Sequence, residues 1–407
     1  MSITSISNSE IDLTCQCDEK ARSACDAGAT LTYDGKNYCV LHLPDKNKER
    51  QFTEAIRRKL KNNDFNFYGV WFPEGRWFRR FNFAHMPDFY RATFSGKADF
   101  LGTKFPMSAR FRHATFVEKA DFSGAEFGPD EVNFTHARFN GPADFKRANF
   151  EGEANFRYAT FKSDLRFSRE QEEKEQKGRG KIASLSLRYA IIEKPERVSF
   201  HSLELFPHWF IDVDPRMFEL TNNSWPNHVG GRLKKNDLLD YLDSEVSHLS
   251  KDVRYPYNSL AIASRRLSIN AEENSRYDEA SILRYLSMEA LRQGTKHKEP
   301  GPKTLHYLYY LLSGYGERIG RAFLVLLLIW LVFAILYMVT GYIKTGDGVS
   351  IGQAIGRTLN YSLQVLTLQK PDVPKGLFTP FFVTLEMLIG PLQIALVALA
   401  IRRQFMR

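Results

Sequence analysis

Four cysteines and a histidine are the residues whose chemistry stands out: Cys15, Cys17, Cys25, Cys39 and His42. No other cysteine follows in the chain. Thiolate and imidazole are the donors that a tetrahedral Zn²⁺ takes, and short loops can deliver them. Cys39 and His42 are offered as a Cys-x2-His pair just after an Asp34-Gly35 turn. Five candidates compete for four places, so either Cys15 or Cys17 is spare. Some forty residues cannot bury a core of their own, so a metal would supply the folding energy of a closed structural site. No neighbouring Glu or His suggests an open catalytic position. The other reading is a tail with free thiols. A disulfide framework stapling the whole chain is excluded. The first thirty residues lack the basic start and apolar stretch of a signal peptide, so a reducing, cytoplasmic setting is expected, where clustered thiols more often bind metal than pair.

A second group of residues lies in an apolar carboxy-terminal region. Ala322 to Val339 carries no charge, with Arg318 and Arg321 before it. Gly376 to Ile401 is also long enough to span a bilayer and ends at Arg402-Arg403. Basic residues at both outer ends predict a two-pass inner (plasma) membrane protein with both termini in the cytoplasm. Between the spans, Ile351 to Leu368 reads I-G-Q-A-I-G-R-T-L-N-Y-S-L-Q-V-L-T-L. It is amphipathic, too short and too polar for a third span, and suits a re-entrant helix. Thr367, Leu368, Gln369, Lys370 and Asp372 follow as candidate pathway residues. Glu386, inside the second span, is costly unless it faces protein or water. It is either a functional carboxylate or a structural brace. Gly390-Pro391 marks a kink in the same span and a candidate gating hinge.

Span, Y-S-L-Q-V-L-T-L and span together resemble two-helix channels of the potassium-channel pore superfamily. That resemblance implies a pore built by several copies, with four favoured. Thr367 and Asp372 match the motif positions. The stretch L-Q-K-P-D departs from the V-G-Y-G-D of a potassium filter, so carbonyls cannot line up in the same way, and Lys370 would disfavour cations.

The elements that must carry these residues begin with a Phe ladder. From Phe67 to Phe167, Phe recurs at alternating spacings of five and six, with one spacing of seven at Gly128-Pro129-Asp130-Glu131. Ala often stands two before it, as at Ala98, Ala109, Ala120 and Ala143. Neither a helix nor a strand gains a face from this spacing, whereas stacked repeats do. The stretch resembles the pentapeptide-repeat family, in its tail-bearing membrane form. The resemblance implies a right-handed quadrilateral β-helix with inward Phe and Ala, about 22 residues per coil, and coils stacked at about 4.8 Å. Its open ends need caps. The polar run 168–181 reads as an exposed loop, and the apolar residues Leu185 to Phe210 as one last irregular coil. Residues 232–300 return to a helical period, with two helices meeting at Asn274-Ser275-Arg276, worded like a tetratricopeptide hairpin.

The expected organisation is a multidomain chain. It runs from a Cys/His module and cap (1–62) through the β-solenoid (63–220) and an α-helical hairpin region (232–300) to two transmembrane helices (318–407) with a re-entrant loop (351–372). A mean hydropathy of −0.36 excludes a wholly embedded protein. The net charge of +9 does not choose a partner by itself. Basic residues outnumber acidic ones over 67–167, which excludes an acidic DNA mimic, and nucleic acid is not expected as a partner. No phosphate loop, H-E-x-x-H or G-x-S-x-G occurs, so no enzymatic activity is expected. The function these signals predict is an oligomeric channel-like membrane protein. Its solenoid would act as a sensor or as an arm for a cytoplasmic protein partner. The alternative is a membrane-anchored scaffold with no conductance.

Overall fold

The computed structural model describes residues 15–17, 19–25, 30–169, 181–225, 235–249, 253–296, 303–340, 350–369 and 378–405. The chain forms two compact units, residues 1–270 and 271–407.

The first unit is built on the Phe ladder. A side chain that returns every five or six residues can stay inside only if the backbone turns a corner after each return, and this is the observed path. Six short parallel strands stack on one side, from Trp71–Phe72 to Ile191–Ile192, and six more on another, from Ala98–Asp99 to Glu219–Thr221. A third sheet joins the remaining strands through the longer Asn149–Asn155. Four columns of rings fill the interior. Phe67, Phe89, Phe111, Phe134 and Phe156 stack with centroids 4.9, 4.8, 4.7 and 4.7 Å apart. Another column runs Phe78, Phe100, Phe122, Phe145, Phe167 and Phe200 at 5.1, 4.7, 5.0, 5.1 and 5.1 Å. These spacings match the strand separation, so the backbone ladder and the ring stacks reinforce each other. Most of the residues two before a Phe are buried as well, chiefly Ala, with Val70, Thr103, Val132 and Leu165 in the same place.

The single spacing of seven is absorbed without breaking register. Phe105 pairs with Phe127, and Phe127 with Phe150 one residue further on. Corner residues adopt left-handed backbone even where they are not glycine: Arg91, His113, His136 and Tyr158 have φ of 55, 59, 58 and 57°. That cost is met by coil-to-coil hydrogen bonds from the same N–H groups, such as His113 N to Thr135 O at 3.0 Å and His136 N to Arg157 O at 3.0 Å. On one side Asp99, Asp121 and Asp144 form a buried acidic column that Arg79, Lys97 and Lys119 neutralise from one coil to the next.

The solenoid extends further than its Phe periodicity. Beyond Ser168 the coils continue with aliphatic residues in Phe places: Phe150 pairs with Ile182 and Phe161 with Ile192. The expected last coil is irregular, with a register shift between Phe150 and Glu153, and the ladders run beyond it to Thr221. Most of the expected loop 168–181 lies outside the described residues, and Ser168 itself is in the strand Leu165–Ser168.

Both ends are capped. Helix α1 (Glu49–Lys61) places Phe52 edge-on to Phe72 and Trp77, with centroids 5.5 and 5.3 Å away. Beyond the last coil, α2 (Lys235–Ser247) supplies Glu245, which accepts from the backbone N and Nδ1 of His208. From α3 (Pro256–Glu273), Asn270 donates to the carbonyls of Pro215, Arg216 and Phe218. These bonds satisfy backbone groups that an open solenoid end would leave unpaired.

The second unit contains α4 (Tyr277–Lys296), α5 (Lys303–Ser313), α6 (Ile319–Val339), α7 (Ile351–Leu366) and α8 (Thr379–Phe405). The α3–α4 break falls at the expected place, with Ser275 left-handed at φ 58°. Helix α5 is an additional element between the expected segments 232–300 and 318–407. Helices α6 and α8 are long and apolar enough to cross a membrane. A tight Gly314-Tyr315-Gly316 turn, all three residues left-handed, joins α5 to α6. Next to it Glu317 accepts from Ser281 Oγ, Arg284 Nε and Arg403 Nη1 at 2.6, 2.9 and 3.1 Å. The start of α6 and the end of α8 are thereby held together. Nearby, burial alone would raise the Glu289 carboxyl, but Arg292, Gln293 and Tyr315 donate to it and hold it below its ordinary range.

Candidate functional site

Two places gather the residues singled out by the sequence. The first is the amino-terminal thiol cluster. Strands β1 (Thr30–Tyr33) and β2 (Lys36–Cys39) form a hairpin whose Asp34-Gly35 turn has φ of 47 and 71°, the mirror-image geometry that suits tight hairpins. Cys39 closes β2, and the chain turns back so that His42 N and Leu43 N both bond Cys39 O. Cys25 follows the short helix Glu19–Ala24.

These turns bring Cys15, Cys25, Cys39 and His42 into one cluster, with every ligand atom within 4.8 Å of the others. His42 Nδ1 lies 3.0 Å from Cys39 Sγ and 3.5 Å from Cys25 Sγ. Its Nε2 is 3.0 Å from the carbonyl of Tyr68, which fixes the proton on Nε2 and leaves Nδ1 free to coordinate. Cys39 N–H donates to Cys15 Sγ at 3.1 Å, a bond that supports a thiolate. Metal–sulfur bonds of about 2.3 Å require sulfurs about 3.8 Å apart, and no pair of ligand atoms in the cluster exceeds that by more than about 1 Å.

The Cys25 thiol is pushed far above its ordinary range by its contacts with Cys15 and Cys39, while Cys15 is lowered by its hydrogen bond with Cys25. Cys17 sits outside the set of four. Its Sγ is 3.4 Å from Cys25 Sγ, and burial pushes it up to about 11. The residues present fit a Cys₃His metal site, and Cys15 is the member of the Cys15/Cys17 pair inside it.

The sequence did not reveal what surrounds the cluster. Lys48 is buried, donates to Val40 O and Leu41 O at 2.7 and 3.0 Å, and lies over the rings of Phe52 and Trp71. Gly69 faces Ala21 and His42, where a Cβ would lie 3.3 Å from the Ala21 methyl. The module is thus seated on the first coil. The K-N-K-E-R run around Lys48 looks like a solvated face, so no local signal could have found this lysine.

The second place is the junction of α6, α7 and α8. Ser350 caps α7 by accepting from Gln353 N. Trp330, near the middle of α6, donates Nε1–H to Leu359 O at 3.0 Å, and Ser362 Oγ lies 3.2 Å from Trp330 O. Gly390, near the middle of α8, approaches Leu366 so closely that a Cβ would lie 3.4 Å from its backbone. The second half of α7 therefore passes the middle of α6 at Trp330, and its carboxy-terminal end reaches the middle of α8 at Gly390. Glu386 is fully buried between them and accepts from Tyr337 Oη at 2.6 Å and Ser362 Oγ at 2.5 Å. Thr367, Leu368 and Gln369 follow α7 and are exposed, with Leu368 left-handed at φ 60°. Lys370 and Asp372 lie outside the described residues. Pro391 lies inside the continuous helix α8, next to Gly390.

A family model of pentapeptide repeats (nine copies) matches residues 78–126, 89–136 and 129–171. No curated protein and no solved structure matches the chain. Fold and comparison together define a pentapeptide-repeat β-solenoid followed by an α-helical region with two membrane-length helices. The match ends well before α6, and no comparison supports a potassium-channel pore superfamily assignment for the helices.

Proposed function

We propose that α6, α7 and α8, repeated around an axis in several copies, form a channel-like membrane assembly. The observation that carries this reading is the depth of α7. Its second half crosses the middle of α6 at Trp330, its last turn meets the middle of α8 at Gly390, and residues 367–369 continue from there, exposed. From Gly390 back to the start of α8 is about 16 Å at 1.5 Å per residue, a distance the chain must climb again after Leu366. Non-helical backbone at that depth costs several kcal/mol per unsatisfied group unless protein or water covers it. Neighbouring copies around a wet axis supply both. Two spans enclose no lumen, so a single copy cannot conduct, and closed cyclic symmetry, with four copies favoured, is the natural assembly. The carbonyl end of α7 would present its negative dipole to the axis and favour cations there. The missing filter glycines argue against potassium-type selectivity.

In this reading Arg318, Arg321, Arg402 and Arg403 lie on the cytoplasmic side of a two-pass protein. The solenoid serves as a sensor or partner-binding arm, and the Cys₃His module is a structural Zn²⁺ site that closes its first coil. Zinc would lock the four ligands and supply folding energy that so short a module lacks. No catalytic role is assigned to any residue.

One observation favours the anchored scaffold instead. Glu386 is enclosed by the chain's own Tyr337 and Ser362, so it acts as a brace within one copy and needs no aqueous pathway. Ion flux from liposomes holding the purified full-length protein separates the two readings. The channel reading expects flux that rises steeply with protein-to-lipid ratio. Inserted protein that stays monomeric and tight would leave the scaffold.

A further inference from the structure

Helix α5 is amphipathic in the wrong sense for water. Its outward arc carries Leu305, Tyr307, Leu308 and Leu311, which are 65, 56, 45 and 51% exposed. Its inward arc carries the polar-tipped residues. The Tyr310 ring is sandwiched between the guanidinium groups of Arg292 and Arg321, 4.8 and 4.7 Å from its centroid. Tyr309 packs edge-on to Tyr315, and Ser313 Oγ accepts from Gly316 N. A helix in water turns its leucines inward and its polar groups outward; α5 does the reverse.

Its position is fixed as well. Gln393 Nε2 of α8 donates both to Leu312 O, at the end of α5, and to Ala322 O, in the first turn of α6, at 3.0 and 2.8 Å. Arg321 Nη1 donates to Tyr310 O. The end of α5 therefore lies level with the first turn of α6, whose own exposed residues Phe323, Leu324 and Leu328 continue the apolar surface. We infer that α5 lies in the membrane interface, with Leu305, Leu308 and Leu311 dipped into the boundary between headgroups and acyl chains and Tyr307 at headgroup level. The occupant of this face is lipid, because the face is continuous with the surface that α6 gives to the bilayer, and tyrosine with leucine is the composition that such a boundary takes. This inference rests on the membrane-spanning reading of α6 and adds a third lipid contact to it. It also gives the Glu317 junction a consequence: the helix that rests on the lipid surface is tied, through one turn, to Arg403 at the end of α8.

The test is photocrosslinking of full-length protein reconstituted in liposomes, with benzoylphenylalanine introduced in turn at Leu305, Leu308, Leu311 and, in α6, Leu328. The inference predicts a mass shift of one phospholipid at all four positions, with yields on α5 of the same order as at Leu328. Lipid adducts at Leu328 together with chain-to-chain adducts on α5 would overturn it in favour of a second copy covering the face. Lipid adducts at Leu328 and none on α5 would overturn it in favour of a hydrated face. An absence of lipid adducts at Leu328 would remove the spanning reading itself, and this inference with it.

Discussion

A thiol becomes a metal ligand when its surroundings stabilise its charge, and the four-residue cluster shows how this is arranged. Tyr68 O orients His42, Cys39 N–H supports Cys15, and Cys15 and Cys39 push the Cys25 thiol above its ordinary range. Cys17 lies beside this set without joining it. Protein purified without added metal should carry about one Zn²⁺ per chain by elemental analysis, falling to near zero in Cys25→Ser or His42→Ala. Cys17→Ser should keep its full equivalent; loss of metal in that variant would make Cys17 the ligand in place of Cys15. The sequence supplied the five candidates and their chemistry. It could not choose between Cys15 and Cys17, because the choice depends on the backbone of Cys39, which reaches only one of them. The buried Lys48 was equally hidden, since burial is a property of the packed cap and not of its own neighbours in the chain.

At the scale of elements, the solenoid draws its stability from columns that cross coils. Phe122 stacks between Phe100 and Phe145 with no exposed surface. Phe122→Ala should cost about 3–5 kcal/mol, read as a lower denaturation midpoint with an unchanged denaturant slope. Within the acidic column, Asp121 makes stability depend on pH. Burial would raise Asp121, but hydrogen bonds from Ser123 and Lys119 outweigh it and hold the carboxyl below its ordinary range. A carboxyl depressed in the folded state contributes stability that is fully present above its unfolded value, about 3.9, and is lost as pH falls through the lower folded value. Melting temperature should therefore drop on acidification toward pH 3 by less in Asp121→Asn than in the parent protein. An equal drop would mean that the column carries no linkage. This architecture was legible as far as Phe167, because a ring every five or six residues has no other use. It faded where Ile182, Leu187 and Ile192 take over the Phe places, since aliphatic residues in that rhythm resemble any strand. Helix α5 falls between the expected segments 232–300 and 318–407, and its leucines face outward, so no core-facing stripe marks it.

The whole molecule joins a repeat array, with a Cys₃His cluster seated on its first coil, to a helical unit in which α7 ends against the middle of α8. The apolar runs and the amphipathic segment between them were visible in the sequence. The fate of Glu386 was not, because its partners Tyr337 and Ser362 come from two other helices. Thr367, Leu368 and Gln369 are the exposed residues that continue from the end of α7, and they test the channel reading most directly. Single-channel recording of the full-length protein in planar bilayers should show unitary currents, and Gln369→Glu should raise the cation-to-anion permeability ratio while leaving the oligomer intact. Correctly inserted oligomers that pass no current, or currents whose selectivity ignores position 369, would contradict this account.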